Sequence, residues 1–544
     1  MDTFQLGIPV SVVVPPRGAA SAASTPGAPS SEFDCDVLVV GGGINGAGIA
    51  RDLAGRGWRV ALCEQDDLAS HTSSAATKLI HGGLRYLEYY EFSLVRKALQ
   101  EREVLMRSAP HIIRPLRFVM PHDPSMRPAW MIRAGLFLYD HLARRDVLPG
   151  TTTIDLRGHE MGACLQPHLG RAFVYSDGWV DDARLVVLAA LDAQARGATI
   201  HTRTRCVAAQ RDADGWTVTL QNATANRQVR ARALVNAAGP WAESFLRNEA
   251  RAAHGEPLAS RSLRLIKGSH IVIPRRFEHD HAYVFQNADK RIIFAIPYEG
   301  EFTLIGTTDV ELQGEPRSAR IDAQETRYLC EQASRYFNRP VYPSEVVWSY
   351  SGVRPLLDDA SGDPSAVTRD YLLEPNTQAA PLLSIWGGKI TTFRKLAEEA
   401  ADQVGRMLGD ARSAWTEGAS LPGGDFSSWI GVAQRPDTDF ERFAAEVRKR
   451  YPWLPESPLR RMARSYGSRI DQVLAESAPG MGREVAPGLW EAELDYLQRE
   501  EWATSADDVL WRRSKLGLHY DAQQRDDVAQ WMGNTGTEQM KKVA

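Results

Sequence analysis

Cysteine is scarce in this chain and suits no framework. The five residues, Cys35, Cys63, Cys164, Cys206 and Cys330, are odd in number, scattered, and include no C-x-x-C. That excludes a disulfide scaffold and a cysteine-ligated zinc site, and it reads as reduced thiols. No apolar run of about eighteen residues occurs, so no helix is expected to span a bilayer. No D-x-[DN]-x-[DN]-G loop occurs either, and no metal site is expected. Positive charge is not in excess: 64 Lys and Arg stand against 68 Asp and Glu, a net −4, which argues against nucleic acid as a bulk partner. Residues 1–33 hold one arginine, Arg17, and a short apolar stretch, Ile8–Val14. A signal or transit peptide needs more, so this segment reads as a disordered extension.

What is present is ordinary globular material, 43% hydrophobic and 24% charged, long enough for two or three domains. The most informative segment runs from Asp36 to Glu64. An apolar strand leads into Gly41-Gly42-Gly43-Ile44-Asn45-Gly46, a helix follows, and a second strand, Trp58–Cys63, ends on Glu64. With 43 glycines in 544 residues, a bare G-x-G-x-x-G arises by chance about 0.3 times, so the triplet alone says little. Strand, turn, helix, strand and acid together specify a dinucleotide-binding βαβ unit. Gly41 makes the tight turn, Gly43 lets backbone approach a pyrophosphate, and Gly46 lets helix and strand pack closely. The helix N-terminus faces the phosphates, and Glu64 is placed to accept from a ribose diol.

Further along, the pattern predicts a helix over 91–109, prolines breaking regular structure over 110–128, and helices over 129–143 and 177–196. Strands are expected around 199–210, 215–220 and 231–236. A strand-rich region from about 260 to 350 follows. Pro381–Trp386 reads as a buried strand feeding a second glycine turn, Gly387-Gly388-Lys389, and a helix to about Leu408. After Leu421-Pro-Gly-Gly424 the chain is helical to its end.

Four blocks carry chemistry beyond the first turn. Ser73–Leu87 combines hydroxyls and small residues, suited to close ligand approach, with His81, Arg85 and Tyr86 beside them. Val235–Trp241 is a strand ending in small residues, including Gly239, where backbone would pass a cofactor. Arg264–His270 is the third block. The fourth pairs Ser351–Pro355, which contains Arg354, with Gly387–Thr392, whose glycine turn suits the far end of an extended dinucleotide such as FAD.

These blocks resemble the FAD-dependent glycerol-3-phosphate dehydrogenase family, the membrane-associated respiratory kind. The resemblance runs from about Asp36 to Tyr520. Its most specific stretches are Ser73–Phe92, Val180–Leu185, Ile266–His270, Gly306–Asp309 and Ala506–Arg512. It implies an α/β fold: a glutathione-reductase-like FAD domain (34–260 and 348–410), a mostly antiparallel substrate domain (261–347) and a helical C-terminal cap (421–544). It also implies oxidation of sn-glycerol 3-phosphate to dihydroxyacetone phosphate, with hydride to FAD and electrons to a quinone. The expected place is the cytoplasmic face of the bacterial inner membrane, peripheral and monotopic, with a second copy of the chain as a candidate partner.

On this basis Gly41, Gly43, Asn45, Gly46, Glu64, Ser73, Ser74, Lys78, Gly82, Gly239, Gly388 and Thr391 are the expected FAD contacts. Arg85, Tyr86 and Lys389 are candidates for a phosphate dianion, which demands fixed charge and donors. His270 is the candidate base, since imidazole titrates near neutrality. Arg354 is the candidate to steady charge developing on the C2 oxygen. His81 is open between substrate and flavin contact. A glycerol-3-phosphate oxidase, with oxygen as acceptor, remains the alternative. Residues 114–145, with Arg114, Arg117, Arg127, Arg133, Arg144 and Arg145 among aromatics and Met126, read as an amphipathic segment suited to an anionic bilayer.

Overall fold

The computed structural model describes residues 33–124, 127–289, 291–358 and 370–543. The expected 1–33 extension, apart from Phe33, and Met126 therefore lie outside the described residues. Two large sheets and a helical cap make up the molecule.

The first sheet is built on Cys35–Val40, whose run of Val and Leu is buried on both faces, as a central parallel strand requires. It pairs in parallel with Val60–Cys63 on one side and Asn226–Asn236 on the other. Leu382–Trp386 adds to Asn226–Asn236, and an antiparallel meander of Arg205–Arg211 and Trp216–Gln221 completes the far side. The helix Ile44–Gly55 follows the first glycine turn and packs against Asp182–Ala195 and Phe393–Met407. Its small residues permit that approach: a Cβ on Gly48 would lie 2.8 Å from the Phe393 ring.

The second sheet runs Val310–Glu311, Leu263–Pro274, Phe302–Gly306, Ile292–Tyr298, Ala282–Gln286, Ile113–Pro121, Arg171–Val180, Leu79–Ile80, with Trp348–Leu357 also pairing to Leu263–Pro274. It is antiparallel except where Ala282–Gln286 meets Ile113–Pro121. The two-residue period decides what each face does. Ile271, Ile273, Ile293 and Ala295 pack towards the helix Ala323–Ser334, while Val272, Val284, Phe294 and Ile296 face the other way, with His270 on their side of the strand.

This arrangement corrects three expectations. The second sheet is not confined to 261–347: it draws strands from 79–180 and 348–357 as well, so the two sheets interleave in sequence. The proline-rich 110–128 segment contains the strand Ile113–Pro121. Residues 171–180, whose last four were expected to begin a helix, form a strand, and the helix starts at Asp182.

The cap comprises the helices Pro436–Arg450, Glu456–Tyr466, Glu491–Glu501 and Ala522–Val543 around their own apolar cluster. Buried ion pairs fasten it to the first sheet's helices and loops: Arg184 to Glu501, with Nη2 2.9 Å from Oε1, and Arg513 to Asp67 at 2.7 and 2.8 Å. Among the described residues no helix is long and apolar enough to cross a membrane.

Candidate active site

Two adjoining cavities lie where the sheets meet, of about 340 and 410 Å³. They share the walls formed by Ile44, Thr72, Ser73, Pro355, Gly387 and Gly388. Together they make one extended groove that passes both glycine turns.

The larger cavity is the candidate nucleotide half. Gly41, Gly43, Asn45, Glu64, Ser73, Gly239 and Gly388 line it. Gly41 sits at φ +110°, and a Cβ there would be 2.5 Å from the Ala237 carbonyl oxygen, so only glycine serves. Gly46 packs inward instead: its Cβ would stand 1.8 Å from the Gly41 carbonyl oxygen. Glu64 accepts from the Gly42 N–H at 2.7 Å and the Asp66 N–H at 2.9 Å, which holds the carboxylate at the cavity edge. A carboxylate has about four acceptor positions, so it retains capacity for a ribose diol. Burial pushes its pKa upward, against those two N–H donors.

Asn45 bridges the two turns. Its amide donates to the Gly387 carbonyl at 3.0 Å, while its buried Oδ1 has no protein partner. Ser73 Oγ accepts from the Ile44 N–H at 3.0 Å and so ties the hydroxyl loop to the helix N-terminus. A groove this long, with glycine walls, a helix N-terminus and an acid at one end and an unpartnered amide oxygen midway, fits an FAD in extended form.

The smaller cavity gathers the candidate reaction residues. His81, Arg85, Tyr86, His270, Arg354, Lys389 and Thr391 all line it. His270 is 1% exposed, with Nε2 3.0 Å from Thr77 Oγ1 and its ring stacked on Tyr350 at 4.8 Å and 17°. Burial, with Lys78 and Arg354 nearby, holds this imidazole well below the usual histidine range. Arg354 pairs with Asp309 through Nη1 and donates from Nη2 to Thr307 Oγ1 at 3.2 Å. Lys389 places its ammonium 3.9 Å over the Tyr86 ring. Arg85 reaches Tyr89 OH at 3.3 Å. The His81 backbone N–H donates to Thr391 Oγ1 at 3.2 Å, and burial lowers its imidazole pKa.

Besides Gly46, three expected FAD contacts line neither cavity. The Ser74 hydroxyl donates to the His71 carbonyl at 3.2 Å. The Gly82 N–H donates to Tyr139 OH at 2.8 Å, and the glycine packs against Leu99. Lys78 is turned inward onto Asp182 at 2.8 Å. All three shape the loop rather than face the groove. Conversely, Thr77, Asp309 and Tyr350 touch the candidate catalytic groups and were not singled out, although Thr77 lies in the Ser73–Phe92 stretch and Asp309 in the Gly306–Asp309 stretch; Tyr350 carried no signal.

The family described as FAD dependent oxidoreductase matches residues 36–394, and the C-terminal domain of alpha-glycerophosphate oxidase matches 414–537. A glycerol-3-phosphate dehydrogenase of Pseudomonas aeruginosa is 49% identical over 517 residues, covering 94% of this chain and 97% of the relative. A D-erythritol 1-phosphate dehydrogenase of Brucella abortus is 48% identical over 505 residues, covering 92% and 98%. The glycerol-3-phosphate dehydrogenase of Bacillus halodurans, solved in complex with FAD, superposes with a TM-score of 0.73 at 28% identity, covering 93% of this chain and 91% of that one. Matched along nearly its whole length at close to half identity, and carrying a groove shaped for the flavin, the chain belongs to the FAD-dependent glycerol-3-phosphate dehydrogenase family.

Proposed function

We propose that the protein oxidises sn-glycerol 3-phosphate at C2 to dihydroxyacetone phosphate and passes the electrons to a membrane quinone. The observation that carries this reading is the convergence of His270, Arg354, Lys389 and Arg85 on one cavity that continues into the nucleotide groove. Lys389 and Arg85 supply two positive charges for the phosphate, with Tyr86 placing the lysine by its ring. His270 takes the C2 hydroxyl proton at Nε2, the nitrogen that meets the cavity-lining Thr77 hydroxyl. Its depressed pKa keeps it neutral and able to accept. Arg354, fixed by Asp309 and Thr307, steadies negative charge on the C2 oxygen. Bound in the groove, FAD supplies the acceptor for the C2 hydride.

A four-carbon alditol phosphate is the second substrate reading, favoured by the 48% identity to the erythritol-phosphate enzyme. Comparing kcat/KM for glycerol 3-phosphate and D-erythritol 1-phosphate decides between them. Oxygen is the alternative acceptor, and turnover with a quinone analogue against oxygen alone separates dehydrogenase from oxidase.

Peripheral attachment to the bacterial inner membrane is supported by the helix Ala129–His141. Ile132, Leu136 and Tyr139 face inward, while Trp130 (70% exposed) and Phe137 (64%) face out with Met131 and Leu138. Tyr89, Tyr90 and Phe92 are exposed on and just beyond the neighbouring Leu84–Tyr89 turn. The basic half of the expectation is revised. Arg114 and Arg117 belong to the strand Ile113–Pro121, Arg127, Arg144 and Arg145 are paired with Glu88, Asp146 and Asp140, and Arg133 is exposed on the helix. The apolar side chains are therefore the main membrane contact proposed here.

A further inference from the structure

Lys78 is buried to 1% exposure, yet it faces neither half of the groove. Its ammonium lies 2.8 Å from both oxygens of Asp182 and 2.6 Å from the Ser74 carbonyl. It also sits 4.7 Å over the ring of Tyr350, the ring on which His270 stacks. The Tyr350 hydroxyl donates to the Ala76 carbonyl at 2.8 Å, and Thr77 Oγ1 meets His270 Nε2. Residues 74–78 thus grip the imidazole twice, at its edge through Thr77 and on its face through Tyr350. The Lys78 backbone is held at φ +64°, a left-handed conformation that side-chain-bearing residues rarely adopt, with its carbonyl accepting from the Val180 N–H at 2.9 Å. Unusual backbone retained by surrounding contacts is a mark of a constrained functional position.

We propose that Lys78 is a positioning residue for the oxidation: with Asp182 and Tyr350 it fixes the plane of the His270 ring and sets a positive charge behind it. The proposal rests on His270 being the base. The charged groups that face the imidazole are Lys78 from the loop and Arg354 from the strand Trp348–Leu357. Asp182, the first residue of the helix Asp182–Ala195, stands behind Lys78, and Asp309 beyond Arg354. A cation behind the ring favours the neutral imidazole, the form that accepts the hydroxyl proton. The same loop reaches the helix N-terminus through Ser73, so the residues that cradle the dinucleotide also orient the base.

The test is the pH dependence of anaerobic flavin reduction by glycerol 3-phosphate in Lys78→Met. Because Lys78→Met leaves Asp182 buried without its ion-pair partner, Lys78→Met/Asp182→Asn is made alongside it; Asn keeps an acceptor for the Ala76 N–H, which bonds Asp182 at 3.0 Å. Both variants should retain FAD and show the acid limb moved upward by about one pH unit, with the rate recovering at alkaline pH. Lys78→Arg should lie between them and wild type. An unmoved acid limb with a uniformly lower rate overturns the proposal, as does a folded Lys78→Met protein that no longer holds FAD. Failure of glycerol 3-phosphate to bleach wild-type flavin is a separate result, seen before any variant is made, and overturns the substrate reading itself.

Discussion

Replacing Gly43 by alanine separates holding FAD from holding the fold. The residue sits at φ −78° and ψ −175°, ordinary extended backbone that alanine adopts freely. A Cβ there meets only Ser73 Oγ, at 3.1 Å, a hydroxyl that can turn aside. The empty protein should therefore fold normally. Gly46→Ala differs, because its methyl would collide with the Gly41 carbonyl and break the turn. In Gly43→Ala the methyl points into the groove, at the start of the helix Ile44–Gly55 where the pyrophosphate seeks N–H donors. Losing one charge-assisted hydrogen bond costs about 1.5–3 kcal/mol, which weakens Kd by about ten- to 150-fold. The assay is the flavin-to-protein absorbance ratio after gel filtration, with Kd from titrating FAD into the apoprotein. Gly43→Ala at full flavin content and a Kd within about threefold of wild type would refute the pyrophosphate placement.

Further outcomes follow from the same geometry. His270→Ala should retain FAD and lose about 10²–10⁴-fold in the rate of anaerobic flavin reduction; a loss under about threefold would make the residue structural and move attention to His81. Arg85→Ala and Lys389→Ala should each raise the KM for glycerol 3-phosphate steeply and narrow the preference for it over glycerol; unchanged discrimination in either variant would remove that residue from phosphate binding. His111, fully buried between the first domain and the cap, has its pKa lowered to about 3 by burial, then by Arg184 and Arg464. Between pH 6.5 and that value the unfolded chain takes up a proton that the folded chain refuses, so stability falls as pH falls, by about 2 kcal/mol at pH 5. His111→Leu should flatten the fall in Tm between pH 7 and 5, and parallel curves for variant and wild type would contradict this. Trp130→Ser/Phe137→Ser should weaken binding to anionic vesicles and spare flavin reduction; unchanged binding would put the membrane face elsewhere, with the cap the next surface to test.

The parts of this fold legible in the sequence are those whose signal is local. The first βαβ unit announces itself through glycine spacing and an apolar run, and Leu382–Trp386 through its position before a second glycine turn. Prolines misled over Ile113–Pro121. Pro115 lies where the strand pairs only with Arg171–Val180, before its parallel partner begins at Phe118, so no hydrogen bond needs its missing N–H. Asp177 and Gly178 looked like a helix start but belong to a buried strand, where glycine admits the Ile80 carbonyl, 3.2 Å from where a Cβ would be. Of the candidate site, His270, Arg354 and the phosphate group stood in recognisable blocks. Lys78 stood in one too, yet its inward turn is set by Asp182, more than a hundred residues away, and no nearby residue signals it. Arg127 looked available for lipid because its partner Glu88, 39 residues away, is brought to it only by the fold, whereas the partners of Arg144 and Arg145 lie within five residues of them.

The central claim is that this groove carries electrons from a phosphorylated polyol through FAD to a quinone. Mixing the purified holoenzyme with saturating glycerol 3-phosphate in the absence of oxygen should bleach the flavin, and adding a short-chain quinone, still without oxygen, should restore its absorbance. A flavin that stays oxidised with substrate, or that is reoxidised only when oxygen is admitted, would contradict it.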